Sequence, residues 1–128
     1  MPSISVNPQK FIGTSVGNGQ CVAFARSAAQ LGHTSTWTRG QLVRGATLAI
    51  GTAIATFGQN GKYENDSHGK SHAAIYMGQD PVGITVLDQW VTKTTGGDSK
   101  IRTVHKRVLS FRNHLKPVDD GRNYYVIE

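Results

Sequence analysis

The chain predicts an α+β domain in which a single early helix packs on an antiparallel meander. Three observations carry this. GNGQCVAFARSAAQL turns from a glycine-rich loop directly into an apolar-periodic segment. HAAIYMG and ITVLDQW are strand-like runs joined across QDPV, whose Asp-Pro is turn chemistry. The helix comes first and the strands follow, the order of an α+β fold. With 128 residues and no repeat, low-complexity block or composition break, residues 1–128 form one domain with a core of its own.

The elements follow in order. SVNPQKFIG is an irregular lead-in. The helix is predicted from Cys21 to Leu31, with Val22, Phe24 or Ala25, Ala28 and Ala29 on its buried side. Its small residues allow close approach to a sheet. HTSTWTRG is a loop, and GQLVRGATLAIG suits a short helical turn. The longest apolar tract, ATLAIGTAIATF, holds the first core strand, Thr52–Phe57. GQNGKYENDSHGKS is a polar loop of the kind that sits over a site. Strands are predicted at His72–Gly78 and Ile84–Trp90, a fourth near Lys100–His105, and a last one at YYVIE.

Composition excludes several classes. One cysteine rules out an internal disulfide framework and any multi-cysteine zinc site. No stretch approaches 18 consecutive apolar residues, so no membrane span is expected. MPSISVNPQKFIG lacks a basic region followed by an apolar one, so no Sec-type signal is expected. Fourteen Lys and Arg against eight Asp and Glu give a net charge of +6. That charge favours an anionic partner, whether nucleic acid, anionic lipid or an acidic cell-wall mesh.

Chemistry points first to Cys21. A thiol in the first turn of a helix faces unpaired backbone N–H groups and the positive end of the helix dipole, which favour thiolate. It needs that help, because a free thiol with a pKa of about 8.5 is only about 3% ionised at neutral pH. His72 opens the more secure hairpin after a polar loop, and an imidazole serves as base and acid near neutrality. The third member depends on register. If 72 lies opposite 90 or 88, His72 and Asp88 share a face, directly opposite or on a diagonal of about 7–8 Å. The other register puts Gln89 there, able to orient a ring but not to balance its charge. Asp88 is the favoured partner.

The remaining candidates have plainer readings beside the functional one. Gln20 precedes the nucleophile and is a candidate oxyanion donor with the Cys21 backbone N–H. Gly19 and Gly17 suit a positive φ or close approach of a substrate. Trp37 and Trp90 are candidates for the cleft wall, although tryptophan is more often core. His33, His105 and His114 are expected at the surface. His68 and His72 are four apart, but SHGKSH lacks helical periodicity, so no metal site is expected and no cofactor is called for.

NGQCVAFAR, HTSTW, GTAIATF, HAAIYMG and VLDQW, in this order and spacing, resemble the small cell-wall amidases of the NlpC/CHAP papain-like superfamily. More narrowly, they resemble the third family of type VI secretion amidase effectors. The resemblance runs from Val16 to Trp90 and more weakly to the C-terminal strand. It implies a papain-like fold and a cysteine peptidase of peptidoglycan, with Cys21 as nucleophile, His72 as base and Asp88 as the orienting residue. The implied bond is the D-alanine to meso-diaminopimelate crosslink. It also implies an immunity protein in the producing cell, export by type VI secretion and action in the periplasm of a target cell. Two rival classes stand against it. The basic run KIRTVHKRV suits a nucleic-acid-binding module, but it lacks the aromatic interleaving and zinc-finger spacing of one, so nucleic acid is not the expected partner. A wall-binding module without catalysis is the other; the presence of all three catalytic residue types argues against it.

Overall fold

In the computed structural model, residues 2–65, 71–93, 99–112 and 116–128 are described. Helix α1 spans Cys21–Ala29, entered from Gln20 in an extended conformation (φ −78°, ψ 154°). It stops two residues earlier than periodicity predicts. Gln30 turns left-handed (φ 55°) and its N–H returns to the Arg26 carbonyl, closing the last turn.

The strands are β1 (Arg39–Leu42), β2 (Ala53–Thr56), β3 (Ala73–Gln79), β4 (Gly83–Lys93), β5 (Ser99–Ser110) and β6 (Tyr124–Ile127). They form one antiparallel sheet in the order β1-β6-β2-β3-β4-β5. The meander β2 to β5 is the expected one. The C-terminal strand, however, inserts between β1 and β2 instead of extending the series. β1 lies where a helical turn was expected. Its side chains are largely exposed, so no alternation marks it, and pairing with β6 fixes it from outside. β4 and β5 run longer than predicted because they pair with each other nearly throughout.

The apolar tract before β2 yields only four strand residues. Gly51 breaks it at φ 101°, where a Cβ would lie 2.3 Å from the Ser5 carbonyl oxygen, so the lead-in crosses there on bare backbone. His72 lies one residue before β3.

Two apolar clusters cover the two faces of the sheet. On one, Phe24, Ala25 and Ala29 of α1 pack against Ala53, Ala55, Ala73, Ile75 and Leu87. The three sheet alanines let the helix approach closely, complementing its own small residues. On the other, Ile54, Ala74, Tyr76, Ile84, Val86, Tyr124 and Val126 pack with Val43 and Leu109. This sandwich sets the N-terminus of α1 over the end of the sheet at which β2 stops and β3 begins.

Candidate active site

Cys21 is the first residue of α1 and is half-buried. The loop before it turns on Gly17 (φ 58°) and Gly19 (φ 85°). Both lie in the left-handed region that side chains disfavour, and a Cβ on Gly17 would also meet the Ala23 Cβ at 2.9 Å. The Cys21 sulfur receives hydrogen bonds from the His72 ring, the Ala73 backbone N–H and the Tyr63 hydroxyl.

His72 is 6% exposed. Ile75 lies opposite Leu87 and Tyr76 opposite Val86, which continues to His72 level with Trp90 and diagonal to Asp88. The His72 Nε2 lies 2.7 Å from Asp88 Oδ2. Nε2 being committed to the carboxylate, Nδ1 is the ring nitrogen left for the sulfur. Thr56 fixes the backbone: its N–H donates to the His72 carbonyl at 3.0 Å and its hydroxyl accepts from the His72 N–H at 3.0 Å.

Asp88 is fully buried, and a second group holds it. Arg107, on β5, donates from Nε to both carboxylate oxygens at 3.1 and 2.8 Å, and its Nη2 lies 2.7 Å from Oδ2. The Arg107 guanidinium is stacked 4.6 Å from the centre of the Trp90 ring, which meets His72 and His105 edge-on. His105 was expected at the surface. Its ring lies 4.9 Å from Trp90, and its Nε2 is 3.8 Å from Asp88 Oδ1.

The electrostatics are those of a charge-separated row. Burial pushes the Cys21 thiol up, but the His72 charge and the three hydrogen bonds more than offset it, and its pKa lies below the ordinary one. Burial pulls His72 down, yet the Cys21 charge and the Asp88 carboxylate raise it to about 9. Asp88 opposes its own burial through His72 and Arg107 and stays below the usual carboxylate range. The row therefore favours thiolate at Cys21 beside a His72 that keeps its proton through neutral pH, with the Asp88 carboxylate and Arg107 guanidinium behind it. Tyr63, raised by burial and by the neighbouring thiolate, remains a hydroxyl donor. Such an arrangement can activate a sulfur for attack and hold a proton for a leaving group.

Gln89 faces away from His72. Fully buried, it binds the loop that leads to Cys21: its Oε1 accepts from the Val16 N–H at 2.9 Å. Its Nε2 donates to the Val16 and Gln20 carbonyls, each at 2.8 Å. Adjacent residues of β4 thus serve opposite faces, Asp88 the imidazole and Gln89 the loop that leads to Cys21.

The side chain of Gln20 is exposed beside the site, while Gly19 is buried. Trp37 does not reach the cleft. It is 1% exposed, packs on Tyr63 with ring centres 4.9 Å apart, and donates from Nε1 to the Gly32 carbonyl. It therefore supports Tyr63, which in turn touches the sulfur. His68 and His114 lie outside the described residues. Arg107 and Tyr63 are the two members that sequence reasoning missed. Alternation in TVHKRV places His105 and Arg107 on one face, a signal for Arg107; nothing in NGKYEN marks Tyr63.

Comparison with known proteins gives a consistent result. The family described as domesticated amidase effector 2 matches residues 3–127. A type VI secretion amidase effector 2 protein of Salmonella typhi is 36% identical over 135 aligned residues, covering 100% of both chains. A domesticated amidase effector 2 of Ixodes scapularis is 38% identical over 98 residues, covering 74% of this chain and 58% of that protein. A solved structure of a type 6 secretion amidase effector 2 superposes with a TM-score of 0.80 at 31% identity, over 98% of this chain and 93% of its own. The sequence motifs resemble the third effector family; the family that matches is the second.

Proposed function

The chain belongs to the domesticated amidase effector 2 family, and from that premise we propose a cysteine amidase that cleaves the peptide part of peptidoglycan. One observation carries the assignment to a site. The cysteine at the start of α1, the histidine before β3 and the buried aspartate of β4 are joined in a single hydrogen-bonded row. In this reading the Cys21 sulfur attacks the scissile carbonyl and forms a tetrahedral oxyanion. The Cys21 backbone N–H and a second donor, with Gln20 the candidate, stabilise that oxyanion. The His72 proton passes to the leaving amine as the C–N bond breaks, leaving a thioester. His72, now neutral, takes a proton from water, which attacks the thioester and releases the thiolate. Asp88 holds the ring and balances its charge.

A nucleophile at a helix N-terminus, packed on an antiparallel sheet that supplies the imidazole, supports the papain-like, NlpC-type description of the fold. The name of the Salmonella relative supports export by type VI secretion and action as an antibacterial effector on a target cell. That action would be in the periplasm, with an immunity protein protecting the producer. No described helix is long and apolar enough to cross a membrane. The crosslink between D-alanine and meso-diaminopimelate is the bond proposed.

Mass spectrometry of purified sacculi after digestion tests this. Crosslinked dimers should become monomers with sugar strands intact, and Cys21→Ala should leave them uncut. Products split between D-glutamate and diaminopimelate would retain the amidase and move the bond. Equal cleavage by the alanine variant would remove cysteine catalysis.

A further inference from the structure

Beside His72, on the β2 and β6 side, the sheet end opens into a cavity of about 440 Å³ whose walls include Arg39, Thr56, Phe57, Glu64, Asn123 and Tyr125. Its volume lies in the range of about 300–1,000 Å³ typical of small-ligand sites. Two sets of contacts connect it to the row of charges. Thr56 holds the His72 backbone from both its N–H and its hydroxyl, so the cavity wall is one strand from the imidazole. A file of rings then leads outward from the sulfur. Tyr63 donates to Cys21, Phe57 lies 6.4 Å from Tyr63, and Tyr125 lies 6.4 Å from Phe57. At its far end the Arg39 guanidinium sits 5.4 Å from the centre of the Tyr125 ring. Phe57 and Tyr125 are half-buried, whereas Arg39 and Glu64 are exposed.

We propose that this cavity is a substrate subsite for a peptide group carrying both a free carboxylate and an ammonium, bound by Arg39 and Glu64 over the rings of Phe57 and Tyr125. The two charges on the walls decide the class. An arginine on an aromatic face suits a planar carboxylate, and Glu64 in the same cavity disfavours a simple anion while attracting a cation. The rings take the aliphatic carbon between or beyond the charges. The proposal rests on the amidase reading and adds a specificity determinant to it.

The test measures kcat and KM on crosslinked muropeptide dimers, native and with their free amines acetylated, for wild type, Arg39→Ala and Glu64→Gln. Alkylation of Cys21 by iodoacetamide reports whether the row of charges is intact. Arg39→Ala should raise KM about tenfold or more, the size of one lost charge-assisted hydrogen bond, with kcat and alkylation little changed. Glu64→Gln should raise KM on native dimers. Acetylation should cost wild type a similar factor and cost Glu64→Gln nothing further. Cleavage by wild type with KM unchanged in both variants overturns the subsite alone, and so does a loss confined to kcat. Wild type that leaves the dimers intact overturns the amidase reading and the subsite with it.

Discussion

Burial at the helix start raises the Cys21 thiol, and only the His72 charge with three hydrogen bonds brings it below its ordinary value. Removing the imidazole therefore leaves a buried thiol rather than a thiolate. At pH about 6, where an unperturbed thiol is less than about 1% ionised, wild-type Cys21 should react with iodoacetamide faster than a free thiol does. His72→Ala should slow that reaction about tenfold or more, measured as labelling rate by mass spectrometry. The alkaline side separates the two partners. His72 is raised from 6.5 to about 9, so its proton is present below that pH and lost as pH rises through it. Turnover should fall above about pH 9 while alkylation does not, because deprotonation removes the acid and leaves the thiolate. Variant kinetics follow the same division of roles. Cys21→Ala and His72→Ala should each lose about 10⁴-fold in kcat, and the double variant should be no worse than either. Asp88→Asn should retain measurable turnover, reduced about 10²-fold, because it misplaces the ring without removing it. A silent Asp88→Asn in the same assay would take the third role from Asp88.

Strand β4 does the positioning at the level of elements. Alternation sends Asp88 to one face and Gln89 to the other, so a single dipeptide orients the imidazole and ties the loop before Cys21. Gln89→Met keeps length and shape but leaves the Val16 N–H and two carbonyls unpartnered by its side chain. It should lower stability by about 1–3 kcal/mol in urea unfolding. It should also slow both kcat and Cys21 alkylation in the folded protein. A drop in stability with both rates unchanged would make Gln89 purely structural. Much of this is legible in the sequence. The helix start at Cys21 follows from glycines giving way to an apolar period, and the hairpin from Asp-Pro between alternating runs. The pairing of His72 with Asp88 needed the register, which the short QDPV connection limits to few choices. Arg107 was hidden because the connection from β4 to β5 is longer, and its turn chemistry does not set which strand residue faces Asp88. β1 was hidden because its exposed side chains carry no pattern; pairing with the C-terminal strand, Arg39 opposite Ile127 and Leu42 opposite Tyr125, creates it. Trp37 and Tyr63 form a three-dimensional support for the sulfur that no spacing announces.

At the scale of the whole molecule the net charge of +6 acts on an anionic cell wall independently of the cleft. Binding of the Cys21→Ala protein to purified sacculi should therefore weaken as salt rises, since screening shortens the reach of surface charge to about 8 Å at 0.15 M. That retention and the chemistry at Cys21 predict different outcomes in a cell. Wild type made in a bacterial cytoplasm should be harmless, because the proposed substrate lies across the inner membrane. Directed to the periplasm by an added signal peptide, it should lyse the host. A single cysteine cannot form an internal disulfide, so the oxidising compartment imposes no folding requirement. The alanine variant sent to the same compartment should bind the wall and be tolerated, which separates binding from cutting. Lysis by that variant would assign toxicity to the basic surface. Toxicity of the cytoplasmic form would point to a target inside the cell, with nucleic acid the first to test.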